Sequence, residues 1–510
     1  CDQWIKGTFC CKNEKKTVDG FYDGDGTYRV RFMPSFTDEY TFEIEASFDI
    51  KVGEEVPDKE VPEHKLGIAD GGKAAEKCAV RNMLTGSFTV TSPSADNHGP
   101  VRVAGTYYLS YEDGTPYHCI GTTCYVWNLQ NEELQKQTLK TLEENAFNKI
   151  RFCIFPKHYD YNLHEPITYP YEGTPCDSSV LNENNFAEYN GCAPGNDWDF
   201  TRFNPAHFQH IEKCIQALMN LGIEADLIVM HPYDRWGFSM MKAEDDDRYW
   251  KYVLARFSAY RNVWWSLANE YDLMHEKTLS DWERYAGIIC EKDPYHHLRS
   301  IHNCKAYYDY NLPWITHCSI QRTETYRSSE LVNEWREKYH KPVILDEICY
   351  EGNIQFGWGN ISGEEMTRRF WEAFCRGGYP GHGETYLSQD RILWWSHGGV
   401  LHGTSPERIR FLAKIMEETP GLGVEPMPCK WDEVACRATG FPARKDYFIY
   451  YYSFMRPGFR DFYFDDTTEY QVEIIDTWEM TITDGGIHKG KFRVQLPGKE
   501  YMAVRLQIAK

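Results

Sequence analysis

Along the chain the rhythm of apolar and polar positions changes twice. From Gly20 to about Val90 the two alternate with a period of two, as in Gly26–Phe32 and Gly86–Thr91, between turn residues such as Asp23-Gly24-Asp25-Gly26. This predicts a small N-terminal β-sandwich. After Tyr117 short apolar runs alternate with amphipathic stretches, the pattern of parallel strands joined by crossover helices. Strands are expected at His118–Thr122, Lys149–Phe155, Ala225–His231, Val263–Asn269, Arg299–Asn303, Thr316–Gln321, Pro342–Glu347 and Gly381–Tyr386. Helices are expected at Asn131–Asn145, Pro205–Leu221, Asp245–Tyr260, Leu279–Glu291, Ser329–Tyr339, Gly363–Arg376 and Pro406–Glu418. From Pro428 onward helical patterning vanishes, and Asp446–Phe454, Tyr470–Asp476 and Tyr501–Ile508 read as strands of a second, C-terminal β-sandwich. The expected fold is therefore α/β: a (β/α)8 TIM barrel over residues 101–425, flanked by β-sandwiches over 1–100 and 426–510.

Two segments interrupt this plan. The Tyr-, Pro- and Asn-rich stretch His158–Asn204 is too long for a connector and is expected to fold over the barrel mouth. The charged, Gly-rich stretch Asp58–Lys77 reads as a loop within the first sandwich. Its Gly67–Lys73 imitates a phosphate-binding loop, but Ala74 stands where a Mg²⁺-binding hydroxyl is needed and no αβ unit surrounds it, so it reads as a loop only.

Composition narrows the partners. With 55 Lys and Arg against 76 Asp and Glu the formal charge is −21, which repels nucleic acid and anionic membrane surfaces. Aromatic residues reach 15%, a composition suited to stacking on sugar rings. The 17 cysteines are scattered, several of them in apolar runs, and show no zinc-site spacing. A reducing cytoplasm is the expected compartment, because so many thiols risk mispairing on export; a start at Cys1 also fits a trimmed chain or a processed lipoprotein. No metal and no cofactor are expected. A GxSxG elbow and a dinucleotide fingerprint are both lacking, which disfavours a serine hydrolase or an NAD enzyme. The oligomeric state stays open, a homo-oligomer included.

The candidate chemistry sits at strand ends. Asn262-Val-Trp-Trp-Ser-Leu-Ala-Asn-Glu270 closes the fourth strand with a carboxylate, and Lys341-Pro-Val-Ile-Leu-Asp-Glu347 closes the seventh. Those strands face each other across a barrel, so Glu270 and Glu347 can converge on one bound group, as glycoside hydrolysis requires. Glu351 competes as nucleophile but lies past the strand end. Asn269 is placed to bind a sugar 2-hydroxyl. His231, His302 and His382 near the mouth are further binding candidates, with Glu384 and Tyr386, and Trp127, Trp236 and Trp395 are candidate stacking platforms. Arg151 on the second strand points toward the barrel floor.

Three stretches of text carry a family likeness: Val18-Asp-Gly-Phe-Tyr-Asp-Gly24, Trp265-Ser-Leu-Ala-Asn-Glu-Tyr271 and Asp346-Glu-Ile-Cys-Tyr-Glu-Gly352. They resemble the clan of (β/α)8 retaining glycoside hydrolases, and within it the bacterial apiosidase-like branch with an N-terminal sandwich. The resemblance implies Glu270 as acid/base, Glu347 as nucleophile, and Arg151 as the cation that keeps the nucleophile ionised. One departure is visible, since related apiosidases carry an Asp where Glu270 stands. The expected function is a retaining glycosidase acting from a chain end on plant-derived oligosaccharides or glycosides. The alternatives are a non-catalytic carbohydrate-binding protein on a barrel scaffold and a metal-dependent barrel hydrolase.

Overall fold

Eight central strands are buried on both faces, which is why they read as near-continuous apolar runs. They are β1 (Gly121–Thr123), β2 (Lys149–Cys153), β3 (Glu224–Met230), β4 (Val263–Ala268), β5 (Arg299–Ser300), β6 (Cys318–Gln321), β7 (Val343–Glu347) and β8 (Tyr379–His382). The computed structural model describes residues 3–50, 82–322, 324–389 and 393–509; the expected Asp58–Lys77 loop, with its Gly67–Lys73 segment, lies outside them. The strands form one parallel sheet in the order β5-β4-β3-β2-β1-β8-β7-β6, and a parallel bridge between His302 and Ser319 joins its two edges.

Around this barrel run α1 (Glu132–Glu143), α2 (Pro205–Asn220), α3 (Ala243–Phe257), α4 (Leu279–Lys292), α5 (Val332–Tyr339), α6 (Gly363–Cys375), the single turn α7 (Trp394–His397) and α8 (Ser405–Glu417). Local chemistry starts several of them: Asn131 accepts from Leu134 N–H, Asn204 caps α2 ahead of Pro205, and Thr278 and Asp281 form a capping box. The fifth unit departs from the expected alternation. Ser300 and Cys318 are joined without a helix, and β5 has only two residues. Tyr310 closes that connection instead, donating its hydroxyl to the Ser319 carbonyl at 2.5 Å.

At the N-terminal end an antiparallel sheet pairs Lys15–Asp19, Ile5–Cys10, Glu39–Ala46 and Met83–Thr89 in that order, so it begins well before Gly20. Buried ion pairs from Arg256 to Asp23 and from Arg31 to Glu212 tie this region to α2 and α3. A hairpin, Val101–Ala104 with Tyr108–Tyr111, supplies Val101 and Leu109 to an apolar plug with Trp264, Ile344 and Tyr379 under the barrel. At the C-terminal end six antiparallel strands form the larger layer of the second sandwich, and Phe459–Tyr463 pairs with Lys491–Gln495 as the smaller one. The insertion over 158–204 forms its own hairpin, Tyr171–Thr174 with Asp197–Phe203. No helix among the described residues is long and apolar enough to cross a membrane.

Candidate active site

The carboxyl ends of β1 to β7 contribute side chains to one polar cluster. β4 ends at Ala268, and Glu270 then adopts left-handed backbone geometry, with φ +51°. That conformation costs a non-glycine residue about 1 kcal/mol, and here it turns the carboxylate into the mouth. Glu347 is the last residue of β7, and its carbonyl accepts from Arg322 N–H at 2.7 Å. The two carboxylates are only 6% and 8% exposed.

Their partners differ in kind. Glu347 Oε1 accepts from the Tyr125 hydroxyl, from Arg151 Nη1 at 3.1 Å and faces His302 Nε2 at 3.2 Å. Burial opposes ionisation of Glu347, but the hydrogen bond and electrostatic pull of His302, the Arg151 guanidinium and the Tyr125 hydroxyl outweigh it and hold the carboxyl well below its usual range. Glu270 is held by neutral groups: the Tyr233 hydroxyl, Gln321 Nε2 at 2.8 Å and Asn269 Nδ2 at 3.2 Å. Asn269 joins the two sides, because its Oδ1 accepts from Arg151 Nη2 at 3.0 Å and from Tyr125 at 3.2 Å.

Arg151 therefore does not rest on the barrel floor. Its Nη atoms reach the mouth, while its Nε lies 3.8 Å from both Asp226 and Asp346 below. Floor duty falls to Lys149, which donates to Asp226 and Asp346 at 2.7 Å each.

The other sequence candidates are dispersed. Trp395 stands at the mouth, edge-on to Tyr125 at 5.6 Å between ring centroids. Trp127 is fully buried and packs edge-on against Phe152. Trp236 is buried too, stacked on Phe238 and covered by the Arg235 guanidinium at 4.4 Å. With no open face, Trp127 and Trp236 are packing residues rather than platforms. His231 shares Nε2 with the Phe155 carbonyl at 3.3 Å, and burial together with Lys157 depresses its pKa to about 3.

His382, Glu384 and Glu351 form a separate buried group whose ligand-type atoms lie within 4.8 Å of one another, the one set among the described residues that could hold a metal ion. Both carboxylates are already engaged. Glu351 accepts from Thr404 N–H at 2.7 Å and Ser405 N–H at 3.0 Å, and Glu384 from His402 N–H at 2.6 Å and Gly403 N–H at 2.8 Å. Tyr386 leans on Glu351 at 3.3 Å. Glu351, thus occupied at the start of α8, is not aimed at the mouth.

Sequence reasoning missed Tyr125, Tyr233, Gln321 and Lys157. Three of them lie just beyond a strand end, in Cys124-Tyr125, Pro232-Tyr233 and Pro156-Lys157, where barrel geometry turns side chains into the mouth. Backbone contacts between neighbouring loops set them there: Tyr125 N–H donates to the Trp395 carbonyl at 3.0 Å and His158 N–H to the Tyr233 carbonyl at 2.8 Å.

Comparison with known proteins agrees with this fold. The profile of the apiosidase-like catalytic domain matches residues 104–432, and two domains of unknown function match 2–47 (DUF5060) and 431–507 (DUF5605). A crystal structure from Bacteroides vulgatus ATCC 8482, described as a candidate glycoside hydrolase, is 37% identical over 100% of this chain and 96% of its own, with a TM-score of 0.85. A family 5 glycoside hydrolase from the same organism is 16% identical over 81% of this chain and 93% of its own, with a TM-score of 0.60, a likeness of fold. A comparison with curated protein sequences gives no match. The catalytic profile spans more than half of the sequence, so the chain belongs to the apiosidase-like family, and its (β/α)8 domain is that of a glycoside hydrolase.

Proposed function

We propose that the protein is a retaining glycoside hydrolase that works by double displacement, with Glu347 as nucleophile and Glu270 as acid/base. The observation that carries this reading is the asymmetry of the carboxylate pair. Glu347 has a guanidinium and is held ionised, as an attacking group must be; Glu270 has only neutral donors, which suits a group that gives up and regains a proton. In the first step a Glu347 oxygen bonds to the anomeric carbon while the Glu270 proton passes to the departing oxygen. In the second step Glu270 takes a proton from water, whose oxygen displaces Glu347.

The substrate is proposed to be a plant-derived oligosaccharide or glycoside, attacked from a chain end. The exo mode is supported by the insertion, whose Tyr161 hydroxyl donates to Gln355 beyond β7 and so bridges the insertion to the loop that follows the nucleophile strand. Following product anomers by NMR in the first minutes of hydrolysis tests the scheme. Retained configuration is expected, and initial inversion overturns it. In Glu270→Ala, substrates with activated aryl leaving groups should keep much of their first-step rate, and azide should restore turnover as a glycosyl azide.

A further inference from the structure

Among the described residues, every cationic side chain around the two carboxylates has its counter-charge except one. Arg151 is paired with Glu347, and Lys149 with Asp226 and Asp346. Lys157, four residues past the end of β2, is 3% exposed, and its ammonium has no hydrogen-bond or ion-pair partner among the described residues. It stands 3.4 Å from the centroid of Tyr125, 4.3 Å from Tyr233, 4.6 Å from Trp395 and 5.5 Å from Tyr159. Tyr125 donates to Glu347 and Tyr233 to Glu270, so the ammonium sits over the two phenols that hold the two carboxylates.

Ring faces attract a cation but accept none of its three N–H groups in the manner of an oxygen, so they offset its desolvation only in part. Desolvation dominates here and lowers the lysine pKa to about 8, against the raising pull of Cys153, Glu270 and Glu347. At neutral pH a mostly charged ammonium thus waits in the mouth with its donors unused. Neutral hydroxyl groups satisfy such donors but leave the buried charge unmatched; a carboxylate supplies acceptors and charge together.

We propose that Lys157 is a specificity residue for an acidic sugar, its ammonium binding the carboxylate of a uronic acid unit held between Tyr125, Tyr233 and Trp395. The proposal deepens the glycosidase reading and rests on it for the location of the reacting unit. Glu347 does not compete for the ammonium, being bound already to Arg151 and to the Tyr125 hydroxyl.

The test uses the full chain and matched 4-nitrophenyl glycosides that differ only in a carboxylate or a hydroxymethyl at C5, in gluco and galacto series and both anomers. The wild type is expected to show kcat/KM at least tenfold higher on one uronide than on its neutral partner. Lys157→Met should lower uronide turnover at least tenfold more than neutral turnover, and Lys157→Arg should restore part of the difference. Glucuronate, galacturonate, glucose and galactose are titrated calorimetrically into Glu347→Gln in parallel, and into the same variant with Lys157→Met; tighter binding of an acid, lost with the lysine, is the expected result. Hydrolysis confined to neutral glycosides, or equal losses on both classes in Lys157→Met, overturns the proposal. If no glycoside is cleaved yet an acid binds selectively through Lys157, the hydrolase reading falls and the recognition stands. If nothing is cleaved and no acid is preferred, both fall. Should Lys157→Met fail to fold, the wild-type substrate ratios and the Glu347→Gln titrations still decide.

Discussion

Lys149 and Lys157 stand eight residues apart, one at the start of β2 and one just past its end, and both are almost wholly buried. At the floor Lys149 has two carboxylates at 2.7 Å, and their attraction outweighs its desolvation and pushes its pKa up. At the mouth Lys157 has aromatic rings and, among the described residues, no counter-ion, and its pKa falls to about 8. Equal burial therefore has opposite consequences. The partner, not the depth, decides whether a buried charge serves stability or waits for a ligand. Floor and mouth of one barrel are in this sense different materials, the first complete in itself and the second completed by substrate.

That contrast can be broken at its strongest point first. Glu347→Gln is expected to cut kcat/KM on the order of 10⁴-fold while lowering the unfolding free energy by less than Lys149→Met does at the floor, because Arg151 keeps Asp226 and Asp346 at 3.8 Å. Steady-state kinetics beside urea denaturation check this, and a protein that loses stability to the same degree would place Glu347 in the framework. Lys149→Met reverses the pattern. It takes from Asp226 and Asp346 the ammonium that bonds both and leaves them only Arg151 Nε at 3.8 Å, so a loss of about 3 kcal/mol in unfolding free energy is expected. A floor indifferent to that change would erase the distinction.

Smaller changes sharpen it. Tyr125→Phe removes one donor that favours ionised Glu347, so the acid limb of the kcat/KM pH profile should move to higher pH by about one unit or less, His302 and Arg151 remaining in place. An unmoved limb would mean that Arg151 and His302 suffice. Lys157→Met should stabilise the fold by about 1 kcal/mol in urea, since an apolar chain replaces an unpaired buried charge. The sign of its pH dependence follows from linkage. Lys157 titrates near 8 when folded and higher when unfolded, so its penalty is complete below pH 8 and is relieved above it. The gain in the variant should shrink accordingly between pH 8 and 10. Destabilisation at pH 7 would give Lys157 a structural role.

Legibility in the sequence followed the same division. β3, β4 and β7 were readable because each carries a short, largely apolar run that gives way to polar residues at its carboxyl end, and Glu270 and Glu347 were readable with them. No helix was expected between Asn303 and Thr316, and the structure has an irregular loop around Tyr310 there; the strand expected at Arg299–Asn303 is only two residues long. Trp127 and Trp236 were taken for platforms since a tryptophan near a strand end has the same letter whether its ring faces solvent or Phe152 and Phe238. His382 and Glu384 fell near a strand end as expected, yet one faces Thr122 and the other the amides of His402 and Gly403.

By itself the sequence determined the order of strands and helices, the antiparallel sheets at either end, and the two carboxylates at the ends of the fourth and seventh strands, because periodicity and strand termini are local properties. Only the tertiary structure decided which hydroxyl, amide or guanidinium reaches each carboxylate, and that Lys157 reaches none among the described residues. Those pairings join residues up to 222 positions apart, and distance in space, which no local pattern encodes, determines the electrostatic environment of each group.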